Sequence, residues 1–411
     1  MMRRHPFAVS AAVLAACAAW ALVGCEQPEQ RLMEFPMKDY NRPLPPGAQA
    51  LRKITDPSRL PDFTRACSQR HRLVEAIEHS LHYLAKPSSH EAYPCCGITH
   101  ARVVASLESF RDLLSGNLPP EQMNAAIRHR FDVYESVGCD MKGTVLATCY
   151  YTPIFEGSLR STAEYRWPLY AKPANLEKQP DGNPKRRWPD RRTLESSDML
   201  KGLELVYLAD PFEAYVAQVQ GSVKVRLPDG SLRTYGYTAN NGHEYQSIRA
   251  MLVEDGKIGA YAGLPEMIAY FDAHPREVQA YTWRNPRYVF FAPIEDGRPR
   301  GCLNEPVTTG RTVATDKDIF PPAALGFLVT KLPVVRHGEI VTAPYRGFVL
   351  DQDAGGAIRA PGRCDLYLGV GDEAGDLAGR AKNEGRLYYL FVKPAEAPAG
   401  ALRTTAGAGS S

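Results

Sequence analysis

Apolar residues recur at helical spacing in two stretches near the front of the chain. Leu73, Ile77, Leu81 and Leu84 fall three or four positions apart, as do Val103, Leu107, Phe110 and Leu114, which predicts two amphipathic helices. From Val145 onward the apolar runs are short, rich in β-branched and aromatic residues, and punctuated by glycine and proline. Strands are expected at 145–152, 204–208, 215–219, 223–227, 232–237, 288–291, 327–330, 347–352 and 387–392. Leu227-Pro-Asp-Gly-Ser231 lies between two of them as a hairpin turn. Short helices are expected at 189–203, 245–256 and 264–274, and no internal repeat is visible. The pattern is that of a mainly β protein with peripheral helices.

The first 25 residues read differently. Arg3 and Arg4 open a segment whose residues 7–23 are almost unbroken apolar, closing on Leu22-Val23-Gly24-Cys25. A charged front, a short apolar run and a small residue before the cut define a secretory signal, residues 1–24. The run is slightly short for a transmembrane helix. Its closing tetrapeptide resembles a bacterial lipobox, which implies lipidation of Cys25. By resemblance to lipoprotein sorting signals, Glu26 after that cysteine favours the outer membrane, with the chain facing the periplasm. Residues 25–50, rich in Pro, Gln and Glu, read as a lipidated tether. Residues 394–411, dominated by Ala, Gly, Ser and Thr, read as a disordered tail.

The formal charge is +3, and the signal carries away two arginines. So even a balance argues against a nucleic-acid partner and is too small to hold anionic lipid without an acyl chain. With 33 glycines and 33 prolines the chain is loop-rich, and 411 residues suffice for two domains. Beyond Cys25 the cysteines are Cys67, Cys95, Cys96, Cys139, Cys149, Cys302 and Cys364. An oxidising compartment permits disulfides, and an odd number leaves at least one thiol over. Cys139 with Cys149 and Cys302 with Cys364 are the guesses considered, since sequence does not fix connectivity. His79, His82, His90, Cys95, Cys96 and His100 crowd one region but match no standard zinc spacing. No metal and no other cofactor is expected.

Candidate chemistry concentrates in Asp353-Ala-Gly-Gly-Ala-Ile-Arg-Ala-Pro-Gly-Arg-Cys-Asp365-Leu-Tyr-Leu-Gly-Val-Gly-Asp372. Three aspartates among glycines suit tight loops between short strands, where carboxylates can do acid–base work. Taken alone, the stretch also reads as turns with solvated aspartates. Four other segments stand out: Tyr150-Tyr-Thr-Pro153 with Trp167-Pro-Leu-Tyr170, Gln218-Val-Gln-Gly-Ser222, Asn240-Asn-Gly-His-Glu-Tyr-Gln-Ser-Ile248 and Asn285-Pro-Arg-Tyr-Val-Phe-Phe291. Gln218, Gln220 and Ser222 alternate along the strand expected there, which gives one face hydrogen-bonding groups. Flat aromatic faces with amides suit a sugar chain, and a polar-edged core is the plainer alternative. Gly369-x-Gly371-x-x-x-Gly375 misses the dinucleotide-binding spacing by one.

In order and wording, these segments resemble the membrane-bound lytic murein transglycosylase A family. The similarity runs from about Gly143 to Pro394 and includes Gly310-Arg-Thr-Val-Ala-Thr-Asp316 and Gly385-Arg-Leu-Tyr-Tyr-Leu390. It implies a double-psi β-barrel carrying the three aspartates, a second β domain inserted into it, and a glycan groove between them. On that basis residues 51–153 hold the N-terminal helical region and the first part of the barrel. Residues 154–285 form the inserted domain and 286–393 the rest of the barrel. The resemblance makes Asp365 the catalytic acid/base, Asp353 its support and Asp372 the third acidic position. It places Tyr151, Thr152, Gln218, Gln220, Ser222, Asn241 and Gly242 in the segments that line the groove, and we group Asp372 with these binding candidates. Two positions depart from the family: Cys149 stands where glycine is usual, and Cys364 sits beside the acid. Residues 60–140 have no counterpart in the resemblance.

The implied reaction cuts the β-1,4 bond between MurNAc and GlcNAc and leaves 1,6-anhydro-MurNAc. Ordinary glycosidases need two carboxyls. MurNAc supplies its own C6 hydroxyl, so one carboxyl can serve twice. Asp365 first protonates the glycosidic oxygen and then takes the hydroxyl proton, which demands a pKa raised by burial or by Asp353. Arg363, two positions earlier on the same strand face, opposes that rise. The rival readings are a muramidase acting on the same glycan and a non-catalytic wall-binding lipoprotein. The expected partners are peptidoglycan strands, the outer membrane through the lipid anchor, and possible other cell-wall enzymes.

Overall fold

The computed structural model describes residues 38–177 and 184–394. The signal, Cys25 and all but the first residue of the tail lie outside them. The chain clusters into two units, residues 1–39 and the remainder from Tyr40, and the architecture below is that of the second.

Fourteen strands are described: β1 (Leu51–Lys53), β2 (Phe131–Ser136), β3 (Val145–Thr152), β4 (Ile154–Ser158), β5 (Trp167–Tyr170), β6 (Glu204–Leu208), β7 (Ser222–Arg226), β8 (Leu232–Asn240), β9 (Val289–Ile294), β10 (Thr312–Ala314), β11 (Leu325–Arg336), β12 (Glu339–Asp353), β13 (Arg363–Val370) and β14 (Lys382–Val392). One sheet runs β1-β2-β14-β11-β12-β10-β13-β3, and β14 also pairs with β3, so the strands from β14 to β3 close into a barrel. The pairs β10–β12 and β13–β3 are parallel, and the others in the barrel are antiparallel. A second sheet runs β5-β6-β4-β7-β8-β9. The chain leaves the barrel at Thr152, enters the second sheet at Ile154 and completes it at Ile294. This is the barrel with an inserted sheet domain that the resemblance implies.

The two predicted helices form at Leu73–Leu84 and His100–Ser115, with Thr99 capping the second. Their buried residues join one core with Phe63, Phe327, Phe348, Leu387 and Phe391 of the barrel and its surroundings. Residues 60–140 therefore act as a cover on the barrel wall. They also contain β2 and two helices that the apolar pattern does not predict, Thr64–Cys67 and Pro120–Arg130.

Several expectations are corrected. Residues 215–219 are not a strand: Pro211–Gln220 is an α-helix. The Asp210 side chain accepts from the N–H groups of Phe212 and Glu213, Pro211 starts the helix, and Gly221 ends it at φ +75°. These local signals outweigh the β-branched residues. Gln218 and Gln220 thus lie on the last helical turn and Ser222 opens β7, so the three share no strand face. The strands expected at 327–330 and 347–352 are the inner ends of one long hairpin, paired from Leu325↔Leu350 to Arg336↔Glu339. Residues 363–370 are strand rather than loop, and the helix that follows Gly371 spans Asp372–Arg380. All seven described cysteines are free thiols, so neither guessed disulfide forms. Cys149 lies four strand residues beyond Val145, roughly 13 Å along β3 and further from Cys139 than a disulfide spans. Cys364 packs in the barrel core, while Cys302 sits near the end of β12 with its Sγ directed at the Gln352 carbonyl.

Candidate active site

Strand alternation decides what faces the groove. Val145 and Ala147 of β3, with Cys364 and Leu366 of β13, belong to the barrel core. The alternate residues Thr148, Tyr150, Arg363, Asp365 and Tyr367 therefore point outward. Across the ladder, Asp353 pairs with Ala314, Ala314 with Asp365, and Asp365 with Thr148. Directly opposed residues share a face. Asp353 and Asp365 consequently flank Ala314, their backbones two strand spacings apart, roughly 10 Å. The small alanine leaves the space between the two carboxyls open.

The two acids are in different surroundings. Asp365 is partly exposed as a residue, but its Oδ1 is shut off from solvent and has no hydrogen-bond partner. Burial raises its pKa to about 7, against the Arg363 charge and a Thr148 hydrogen bond, with Asp353 adding to the rise. Asp353 is held by donors. The Tyr150 hydroxyl donates to its Oδ2 at 2.6 Å, and the N–H groups of Cys302 and Ala354 donate to Oδ1 at 2.9 and 2.8 Å. Burial raises Asp353 as well, while these donors and Lys317 pull it back. The Lys317 ammonium bonds the Asp353 carbonyl and the buried Asp351 carboxylate. Asp351 also accepts from Thr315 and Tyr389. One carboxyl can thus exchange a proton near neutrality, and the other is fixed as an acceptor.

The inserted domain meets this face on two sides. Tyr245, half-buried, lies close enough to Arg363 for that charge to oppose the rise that desolvation gives its hydroxyl. Beyond Asp353, the loop at Gly356 lies against the Arg287 side chain, which in turn donates to the His243 carbonyl.

The other expected groove residues lie mainly at the joint between barrel and insert. The Tyr151 ring packs on Ala374 and Ala378, and its N–H donates to Gln220 Oε1 at 3.2 Å. Thr152 Oγ1 bridges Ser222 Oγ and the Tyr367 hydroxyl, each at 3.0 Å. Gln218 Oε1 accepts from Arg191 at 2.7 Å and from the Val289 N–H at 3.4 Å. Asn241 donates to the carbonyls of Pro189 and Pro286 and accepts from the N–H groups of Tyr288 and His243. All four of its hydrogen-bonding positions are filled. Gly242 adopts φ +80°, with a Cβ there falling 2.8 Å from Pro184. Asp372 is the first residue of its helix and exposed, and Gly371 holds the cap position.

Sequence reasoning missed Thr148, Lys317, Cys302 and Tyr367, and counted Tyr150 only as an aromatic surface. Tyr150 and Thr148 were within reach, since both alternate on the predicted strand 145–152. The others depend on pairing between distant segments. Among the described residues no group of His, Cys, Asp and Glu is arranged to hold a metal ion, and no helix is long and apolar enough to cross a membrane.

A barrel wall presenting one desolvated carboxyl beside an inserted sheet domain suits a class of enzymes that cleave glycans by acid–base chemistry. Comparison with known proteins makes this specific. Residues 146–292 match the MltA specific insert domain and residues 311–391 the 3D domain. The membrane-bound lytic murein transglycosylase A of Escherichia coli is 29% identical over 268 residues, covering 64% of this chain and 70% of that protein. The structure of a membrane-bound lytic murein transglycosylase from Agrobacterium tumefaciens is 25% identical, with TM-score 0.68, covering 84% of this chain and 98% of that one. LtgG, a lytic transglycosylase of Burkholderia pseudomallei, is 30% identical, with TM-score 0.50, covering 86% and 98%. The chain belongs to the membrane-bound lytic murein transglycosylase A family. It is a lytic transglycosylase of murein, a lyase that cleaves peptidoglycan.

Proposed function

We propose that Asp365 performs both proton transfers of the murein-cleaving reaction. Protonated, it gives its proton to the glycosidic oxygen between MurNAc and GlcNAc. As a carboxylate it then takes the proton of the MurNAc C6 hydroxyl, which closes the 1,6-anhydro ring. The observation that carries this reading is the unpartnered, solvent-shielded Oδ1 of Asp365 beside an Asp353 whose two oxygens are already bonded. Asp353 supports through its charge and by fixing Tyr150. The same bonds argue against Asp353 as the water-activating base of a muramidase.

The inserted wall of the groove runs past the expected boundary at 285 to Ile294, where the second sheet is completed, and the segments flanking it serve as the barrel, with glycan strands as the ligand. Tyr151, Thr152, Gln220 and Ser222 set the joint between the two. Gln218, Asn241 and Gly242 act as internal staples that shape the inserted wall, and Asp372 favours the N-terminus of its own helix. The lipobox ending at Cys25 anchors the enzyme to the outer membrane, facing the periplasm. Digestion of sacculi with wild type and Asp365→Asn, read by mass spectrometry, tests the assignment. We expect 1,6-anhydro products from the wild type and a loss of about 100-fold or more in the variant. Reducing-end MurNAc would establish the muramidase instead, and undiminished cleavage by the variant would remove Asp365 from the mechanism.

A further inference from the structure

Arg363 presents a second unsatisfied atom beside that of Asp365. Its Nε is cut off from solvent and has no acceptor. Two residues along a strand place it roughly 7 Å from Asp365 on the same outward face. A second cation lies in the same field. Lys382 pairs with Thr148, which pairs with Asp365, so the lysine continues the row that runs Asp353, Ala314, Asp365, Thr148. A third comes from the inserted domain: Arg249 is anchored by donating to the carbonyls of Ala260 and Ala262. Burial, then repulsion from Arg249 and Arg363, lowers the pKa of the Lys382 ammonium. The three positive groups are thus near enough to disfavour one another.

No described carboxylate forms an ion pair with any of these three side chains. Glu384, in line with Arg363 across β3, accepts a hydrogen bond from Tyr40. Asp365 is the acid nearest Arg363 in sequence and function, and the reaction needs it protonated at the start. Crowded like charges, one with a buried unpaired donor, cost free energy that a bound anion recovers. The substrate has such an anion within a sugar ring's breadth of the scissile bond. MurNAc carries a lactyl ether at C3, ending either in a free carboxylate or in a stem peptide with carboxylates of its own.

We propose that Arg363 and Lys382, with Arg249 beside them, form a carboxylate-binding subsite for the acidic arm on C3 of the MurNAc residue whose bond is cut. The proposal rests on the assignment of Asp365 as the acid, because that places the MurNAc ring against β13. The subsite selects muramyl strands over glycans without an acidic arm. It also covers the Arg363 charge when substrate is bound, and so relieves the opposition to a protonated Asp365. Arg363 and Lys382 set specificity and take no part in proton transfer.

The test uses the full protein and three GlcNAc–MurNAc oligosaccharides. In one the lactyl carboxylate is free, in the second it is a primary amide, and in the third it bears an L-Ala–D-Glu stem. The readout is kcat/KM for release of anhydro product. We expect wild type to prefer a carboxylate-bearing substrate over the amide by about 10-fold, chiefly through KM. Preference for the free lactyl acid identifies that group as the ligand, and preference for the stem identifies the peptide carboxylates. Arg363→Gln and Lys382→Gln should each reduce the ratio toward one, and Arg363→Lys should restore part of it. Equal rates on all three substrates in wild type would overturn the proposal. So would an Arg363→Gln enzyme slowed on all three with its ratio unchanged. The ratio is internal to each protein, so a variant of lower stability still reports it. Failure of the catalytic assignment would look different: Asp365→Asn would still release anhydro product from every substrate.

Discussion

Protonation of Asp365 decides when the groove can act. The glycosidic oxygen needs a proton at the outset, so the competent free enzyme is the one with Asp365 neutral. With burial holding that pKa at about 7, kcat/KM should fall as pH rises through 7. Asp353 contributes to the rise, so Asp353→Asn should move this limb to lower pH; an unmoved limb would mean that Asp353 acts only by positioning. The same shift has a cost in stability. The folded pKa lies above the unfolded value near 4, so folding stability declines as pH climbs from about 4 to about 7 and the unfolded chain alone ionises. Asp365→Asn removes that penalty. Urea unfolding should find the variant more stable than wild type at pH 8, by at most about 4 kcal/mol and less where solvent reaches the carboxyl, and equal to it at pH 4. An acid kept uncharged in a partly apolar groove is function held at the expense of stability. At this scale the resemblance singled out the two aspartates, and the pairing of β10 with β12 and β13 sets them on either side of Ala314. It could not show that one is bonded on both oxygens while the other is bare on one. That difference is set by Tyr150, Cys302 and Ala354, which come from three segments.

Helices and strands were legible where local signals agreed. The strand 145–152, the hairpin around Asp229 and the helices at 73–84 and 264–273 all declare themselves by periodicity and turn chemistry. The helix Pro211–Gln220 was misread because Tyr215, Val216 and Val219 look β-like. The Asp210-Pro211 start and Gly221 stop were the better evidence of its type. The long hairpin of β11 and β12 was seen only in part, because Pro333 and Pro344 interrupt its outer half and proline within a run demotes it as a strand signal. The parallel pairing of β13 with β3 has no local signature at all, since more than 200 residues separate Thr148 from Asp365. Two of the elements fix how insert and barrel meet. Helix Leu264–Ala273 approaches helix Asp372–Arg380 so closely that a Cβ on Gly263 would fall 2.2 Å from the Gly379 carbonyl oxygen, and one on Gly379 2.7 Å from Pro265. Neither partner atom sits at the end of a flexible side chain. Gly263→Ala should therefore lower stability by about 1–3 kcal/mol and reduce murein cleavage by displacing the inserted wall. A variant with the wild-type melting temperature and activity would show that the crossing adjusts without loss.

The barrel with its helical cover and the inserted sheet with its helices are each stabilised by their own apolar clusters, and no disulfide links the described cysteines. The barrel's cluster runs from the N-terminal helices through the barrel interior, and a chain of this length buries enough surface to need no disulfide. The cover formed by residues 60–140 was not recognisable from the sequence, because an amphipathic helix announces its apolar face and not what that face will meet. The thiols follow from the same architecture. Cys67 and Cys364 are fully buried, and desolvation raises the Cys67 thiol to about 11 and drives that of Cys364 higher still. Cys149 is raised well above its ordinary value by burial and by Asp365. Cys96 is the exception: a hydrogen bond from Cys95 holds it below the usual thiol range. Thiolate is the reactive form. Alkylation of the native protein at neutral pH, followed by peptide mapping, should therefore mark Cys96 and the exposed Cys302 early, and Cys67, Cys149 and Cys364 only after unfolding. Reductant should leave the melting temperature unchanged. Early labelling of Cys364 would place water in the barrel interior behind Asp365, and would remove the desolvation on which the raised acid depends.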